Sequence, residues 1–416
     1  MGRSHVVKST KVVFVLVSFL LMGFGVVPLH AGEKELKVGC IMPFTGPAAP
    51  WGLAIRPQME IFAELVNEDG GLKIGANTYK VKMFFADGQY MPAPGAKAAR
   101  DLIFRNDVSA ILGYFGAGMS AISPITNKEK VIFICRTGSG VTYSPEKDPY
   151  VVFGTPSNEM VFYQAVAAMK GYPKFKKLCF TGPTAAAKQF SETDNQTLDK
   201  DLKEKYGIEV VRIFYPEGTK NFTPYIAKMK EAGVELVSVG GNVLEVALLA
   251  KQRWEAGLKW PITETGTLID PALFVQLSGA EAAQGICSDR PAPWELKTVK
   301  VAPRYLKTAE RIKARYEKKF GKPLTYTGSF GWGLNHMSQY FEALQQAGTI
   351  DPDKVMAKFR GGTFETFLGK YTTSGAKIYG SPVVFGYPCA MGIIKGKEEV
   401  YLGENPLRDV NDWLTP

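Results

Sequence analysis

The chain has 416 residues, 45% of them hydrophobic and 22% charged, with 50 basic against 40 acidic side chains and a formal net charge of +10. That length predicts two domains. The cations are spread among acids, as on the stretch Lys313, Arg315, Lys318 and Lys319, and no nucleic-acid motif accompanies them, so a solvated face is expected and no nucleic-acid partner.

Arg3, Lys8 and Lys11, with no acid, precede an apolar run from Val12 to Val27 and the short segment Pro28-Leu29-His30-Ala31. This is the layout of a secretory signal. The run of 16 residues is shorter than the roughly 20 that span a hydrocarbon core, so a signal over residues 1–31, cleaved after Ala31 to leave Gly32, is expected in place of an anchor. Cys40 stands too far beyond the run, behind a polar approach, to be a lipoprotein attachment site. A free protein in the periplasm follows, with 47 basic against 40 acidic residues once the three signal cations are gone.

Lys37 to Met42 reads as a strand, and Trp51 to Asn67 as a helix with Ile55, Met59, Phe62 and Val66 at three- and four-residue spacing. Strands follow at Tyr79 to Ala86, Ala110 to Gly113 and Val131 to Cys135, separated by helices at Pro94 to Arg105 and Ser120 to Lys128. After Gly154-Thr155-Pro156 the alternation begins again. Helices at Glu159 to Met169, Ala187 to Tyr206, Thr223 to Ala232 and Leu244 to Ala256 are interleaved with strands at Lys177 to Thr181, Glu209 to Tyr215 and Leu236 to Gly240. Short strands near Pro261 to Glu264 and Gly285 to Ser288 come next. Helices at Pro303 to Phe320 and Trp332 to Ala347 follow, the latter closed by a glycine cap at Gly348. A strand from Cys389 to Ile394, turning at Gly396-Lys397, completes one of the two units. Alternating strands and helices predict an α/β protein of two lobes with parallel-rich sheets, and in such sheets ligands bind outside the carboxyl ends of the strands.

Much chemistry is missing from the sequence. His5 and His30 leave with the signal, and His336 sits among apolar neighbours on a helix, a structural position; neither a Ser-His-Asp triad nor a zinc helix has its residues. There is no phosphate-binding GxxxxGK[ST] loop. Gly113-Tyr114-Phe115-Gly116-Ala117-Gly118 has G-x-x-G-x-G spacing after the third strand, which is not the dinucleotide fingerprint, although its backbone N–H groups could approach an anion. Neither a cofactor nor a metal is expected, and no catalytic residue. Of five cysteines, Cys40, Cys135 and Cys179 lie in apolar strand-like runs, where cysteine behaves as a small hydrophobe; one bridge involving Cys287 or Cys389 stays open.

Six stretches, in order, carry a family resemblance. Val38-Gly39-Cys40-Ile41-Met42-Pro43-Phe44-Thr45-Gly46-Pro47 with Trp51-Gly52 is similar to the opening of the type I periplasmic binding proteins of branched-chain amino-acid ABC transporters. Asn67-Glu68-Asp69-Gly70-Gly71-Leu72 resembles that family's helix end, Ala110 to Gly113 its third strand, and Phe133 to Ser139 its fourth strand and hydroxyl loop. Val239-Gly240-Gly241 and Ala256-Gly257-Leu258 match its second lobe. The resemblance implies the type I periplasmic-binding-protein fold, two Rossmann-like lobes joined by a multi-crossing hinge. Residues 32–155 and 289–375 would form the first lobe, and residues 156–288 and 376–416 the second.

The resemblance also implies a site. In the first lobe it takes in Trp51, Gly116, Ala117, Gly118, Gly138 and Ser139, and in the second Phe190, Asn242 and the loop from Glu264 to Gly266. Trp51 offers a flat apolar wall or a lobe-packing tryptophan, and is assigned here to the cleft wall and not the core. Ser139 offers a ligand hydroxyl or a turn serine, and Arg136 a bidentate partner for a carboxylate or an edge salt bridge. The chain departs from the family pattern at Gly116-Ala117, where a serine pair is usual, and at Asn242, where an aromatic is usual. At the ammonium-binding acid, Gly266 aligns and Glu264 stands two residues away. The resulting expectation is a monomeric solute-binding component that passes its ligand to the membrane permease subunits of an ABC importer. The ligand would be a small carboxylate-bearing solute, an amino acid foremost, with a non-amino carboxylate such as an aromatic acid, or a sensor role at a membrane receptor, as alternatives. No enzymatic step is expected.

Overall fold

The computed structural model describes residues 1–2, 34–113, 119–135, 143–154, 172, 174–184, 199–200, 202–264, 271–291, 301–322, 324, 333–386, 389–396 and 398–405. The expected signal, apart from its first two residues, and the expected helix at Glu159 to Met169 lie outside them. Among the described residues no helix is long and apolar enough to cross a membrane.

The first lobe opens with β1 (Lys34–Met42), α1 (Ala49–Glu68), β2 (Leu72–Ile74) and β3 (Asn77–Asp87). It continues with α2 (Pro92–Phe104), β4 (Ala110–Gly113), α3 (Met119–Lys128), β5 (Ile132–Cys135) and β6 (Val151–Phe153). β1 pairs in parallel with both β3 and β4, and its last five residues are all buried. A central strand covered by helices on both faces needs this unbroken apolar run, so no polar alternation is seen. The second lobe holds β7 (Lys177–Pro183), β8 (Glu209–Tyr215), α4 (Thr223–Glu231), β9 (Leu236–Val239) and α5 (Val243–Glu255). β10 (Ile262–Glu264), α6 (Pro271–Ser278), α7 (Ala280–Ala283) and β11 (Ile286–Pro291) follow. The chain then returns to the first lobe through α8 (Pro303–Phe320), α9 (Asn335–Ala347), α10 (Pro352–Phe359), β12 (Thr363–Thr366), β13 (Gly369–Ser374), α11 (Ala376–Tyr379) and β14 (Val384–Phe385). It ends in the second with β15 (Cys389–Lys395) and β16 (Glu398–Asn405).

The sheets run β12-β13-β14-β6-β5-β4-β1-β3-β2 and β16-β15-β11-β10-β9-β7-β8. Two returns of the chain fall later than the sequence led us to expect. β11 stays in the second sheet to Pro291, and β14 belongs to the first, paired with β6, so residues 289–291 and 376–385 change sides relative to the boundaries above. Strands as short as β14, and the three-residue β6, carry too few residues for a periodicity to be read.

The helix-end motif Asn67 to Leu72 is structural. Asn67 accepts from the Val81 amide at 2.7 Å and donates to the Val81 carbonyl at 2.8 Å, so its side chain pairs with β3 as a peptide would. Gly71 has φ near 100°, and a Cβ there would lie 2.6 Å from the Tyr79 carbonyl oxygen, so only glycine fits that turn. On α8, Tyr305, Ala309 and Ile312 are buried while the basic face meets the end of α1. Arg315 grips Glu68 bidentately at 2.6 and 2.8 Å, and Arg311 reaches Asp69 at 2.6 Å. The expected solvated charge thus clamps two helices together. Cys40, Cys135 and Cys179 are free, buried thiols, and Cys287 is buried as well. Cys287 stands opposite Ile393 and Cys389 opposite Pro291, four residues or about 13 Å along the strands, too far for a bridge between them. Gly348 takes the left-handed φ of 65° expected of its cap.

Candidate functional site

Both sheets turn the carboxyl ends of their parallel strands toward loops that carry polar and aromatic groups. On the first lobe, the loop after β1 and the loop after β3 are tied together by Asp87. Its carboxylate accepts from the Phe44 amide at 2.8 Å, the Gln89 amide at 3.0 Å and the Thr45 hydroxyl. Partial burial acts to raise the Asp87 pKa, but these hydrogen bonds outweigh it and hold the carboxyl below its ordinary value. Gln89 and Tyr90 both adopt left-handed backbone, with φ of 51° and 59°. Tyr90 thereby meets Trp51 edge to face, with ring centroids 5.5 Å apart.

Trp51 is 6% exposed and belongs to the first lobe's hydrophobic core, so its assignment to the cleft wall alone is corrected: the indole packs inward as well. Gly52 explains the Trp-Gly pair, since a Cβ there would lie 2.1 Å from the Pro43 carbonyl oxygen. Gly113, where β4 ends, has φ near 87°, and a Cβ would stand 2.9 Å from the Ile41 carbonyl oxygen. The residues expected to follow in the site, Gly116, Ala117 and Gly118, lie outside the described residues, as do Arg136, Gly138, Ser139 and Phe190.

On the second lobe, Asn242 caps α5: its Oδ1 accepts from the Glu245 amide at 3.0 Å, and the residue is 7% exposed. Glu264 ends β10, opposite Val239 and Ser288, and is 1% exposed. The structure therefore brings Asn242 and Glu264 to the ends of neighbouring parallel strands.

Three residues of this region went unread in the sequence. Tyr215, at the end of β8, is fully buried, and its hydroxyl donates to the Gly240 carbonyl at 3.3 Å. Glu245 is 3% exposed and accepts from the Gly218 amide at 2.7 Å. Burial raises its pKa, against hydrogen bonds from the backbone of Gly218 and from Asn242. Asn242-Val243-Leu244-Glu245 has the spacing of a capping box, a signal that could have found Glu245. Tyr90 is the third. Burial lifts Tyr215 well above its ordinary pKa, and the charge of Glu245 adds to the shift. Nothing local in the sequence marks Tyr90.

Two parallel-rich α/β sheets whose strands end in loops of this kind make the architecture of a two-lobed binding protein. Comparison with known proteins gives the family. The sequence model described as periplasmic binding protein matches residues 35–380, and the chain belongs to that family, with its type I fold. Among curated relatives, Leu/Ile/Val-binding protein homolog 3 of Brucella melitensis is 26% identical over 233 residues, 55% of this chain and 60% of that protein. Leu/Ile/Val-binding protein homolog 1 of Brucella abortus is 25% identical over 339 residues, 80% of this chain and 85% of that protein. Two solved structures share the fold at 18% identity, each covering 90% of this chain. One is the branched-chain amino acid transporter substrate binding protein LivJ from Streptococcus pneumoniae in complex with isoleucine, at a TM-score of 0.70 over 100% of that chain. The other is an ABC transporter solute binding protein from R. palustris in complex with benzoate, at 0.69 over 98%. These relatives and solved structures are binding proteins, as is the family whose model the chain matches.

Proposed function

We propose that this chain is the periplasmic solute-binding component of an ABC importer, acting as a monomer and delivering a small carboxylate-bearing solute to the membrane permease subunits. One observation supports the reading: in a member of this family, Trp51 opens the helix that follows β1 and Glu264 ends β10, so both stand on the side of the strands' carboxyl ends, in two different sheets. A solute that touches both lobes stabilises the closed arrangement by its differential affinity for it, and closure is what the permease would recognise. A micromolar site would correspond to about −8 kcal/mol.

An amino acid is the first candidate. Glu264 supports it, because a buried ammonium needs a carboxylate nearby and this one is buried beside the Gly240-Gly241-Asn242 loop. A non-amino carboxylate is the second, supported by the benzoate complex of a fold neighbour and by the missing serine pair at Gly116-Ala117. Calorimetry on isoleucine and its deaminated analogue tests both. Glu264→Gln is expected to weaken isoleucine by about 10- to 100-fold and leave the deaminated acid within about threefold, in line with the loss of one buried charge-assisted bond. Binding of uncharged sugars or polyols alone would contradict the reading.

A further inference from the structure

We propose that the polar turn opening α9 is the pivot of the hinge: Gln339, with Asn335 and His336, positions the point where the chain leaves the first sheet and sets the balance between two lobe arrangements, whichever solute is bound.

Two passages between the sheets leave the first one side by side. β14 runs parallel to β6 with Val384 opposite Phe153, and the Phe153 amide donates to the Val383 carbonyl at 3.0 Å. The next strands after these two, β7 and β15, belong to the second sheet. Phe153 also shares a buried cluster with Leu178 and Phe180 of β7, so the sheets are packed together close to this exit. Two lobes joined and packed at one edge turn about that edge, and Gly154, the first residue past β6, stands there.

Gly154 is held from three sides. Its amide donates to the carbonyl of Cys135, the last residue of β5, at 2.8 Å, and its carbonyl accepts from the Gln339 side-chain amide at 2.8 Å. A Cβ there would lie 2.4 Å from the His336 ring, so α9 and the start of the crossing segment leave no room between them.

Asn335, His336 and Gln339 are each 1% exposed or less, at positions where apolar side chains would pack at lower cost. Gln339 and Asn335 use only part of their hydrogen-bonding capacity. Gln339 Nε2 is bonded to Gly154, whereas among the described residues Gln339 Oε1 and both polar side-chain atoms of Asn335, one turn earlier on the same face, have no partner. Buried polar groups are almost always paired, and an exception calls for a reason. A turn of the crossing segment about Gly154 supplies one, since it brings other backbone groups to this face. The Gln339 bond then stabilises the arrangement seen here, and Asn335 stabilises the alternative.

Single-molecule energy transfer on the ligand-free protein tests this, with dyes on Lys128→Cys and Glu231→Cys, exposed ends of α3 in the first lobe and α4 in the second, in a Cys389→Ser background where the remaining thiols are buried. Wild type is expected to show two populations, one at the dye separation of this structure. Gln339→Met should lower the share of that population relative to the other by about 3- to 10-fold, the effect of one buried hydrogen bond, and Asn335→Leu should raise it by a similar factor. Ser338→Ala is the control: it removes a buried hydroxyl of the same turn that bonds Asn335 and Phe367 but not Gly154, and should lower Tm while leaving the ratio unchanged. A wild type confined to one population, an unchanged ratio in either folded variant, or an equal change in Ser338→Ala overturns the inference. Should Gln339→Met fail to fold, Asn335→Leu decides alone. No solute is added, so these outcomes are independent of the carboxylate reading.

Discussion

Trp51 packs in the core and is proposed to line the cleft, and the two roles can be separated by substitution. Because the indole is 6% exposed within the core, Trp51→Ala is expected to cost about 3–5 kcal/mol of stability as well as weakening binding. Trp51→Phe keeps a ring at the site and should lose much less of both. Urea melts paired with calorimetry read the two effects; an alanine variant as stable as wild type would mean that the indole is not packed inward. Glu245 makes a claim about pH. Its folded pKa is raised above the ordinary 4.5, chiefly by burial, so its contribution is present in full below 4.5 and is lost as pH rises through the raised value. Relative to Glu245→Gln, wild type is therefore expected to lose stability from about pH 4.5 upward. Parallel curves for the two proteins over pH 4 to 8 would contradict this.

At the level of elements, close approach decides which glycines matter. Gly154 follows β6 at the first passage toward the second lobe, its carbonyl accepts from the Gln339 amide at 2.8 Å, and a Cβ there would lie 2.4 Å from the His336 ring. His336 is fully buried, as its apolar neighbours on α9 suggested. Gly154→Ala must displace that ring and is expected to cost about 1–3 kcal/mol, seen as a lower Tm; an unchanged Tm would mean that α9 yields freely. The elements with long periodic runs were legible: β8 and α8 have the bounds their sequence indicated. The hairpin of β2, the helices α6, α7 and α10, and the strands β12 to β14 were not. Each has eight residues or fewer and is set by tertiary packing, as β13 is by pairing with β12 and β14. The site was legible only as far as one position per loop. Asn242 and Glu264 follow from matching a motif, but Tyr90 meets Trp51 only because β1 and β3 pair and end side by side.

For the whole molecule, the sheets require the chain to pass between lobes between Phe153 and Lys177, again between Pro291 and Pro303, and again between Phe385 and Cys389. Several passages of the chain between two sheets are what hinge closure around a ligand needs, although one buried cluster, with Phe133 and Phe153 of the first sheet and Leu178 and Phe180 of the second, packs the two together. A ligand that binds only the folded, closable protein raises its apparent stability by RT ln(1 + [L]/Kd), or about 2.7 kcal/mol at a hundredfold excess over Kd. A thermal-shift screen is the most direct test, pairing amino acids, aromatic acids and short-chain carboxylates with their amides and alcohols and including sugars. At least one carboxylate is expected to raise Tm by several degrees while its amide and alcohol do not. A screen in which only sugars or polyols raise Tm, or in which the amides act as strongly as the acids, would contradict a carboxylate-binding cleft.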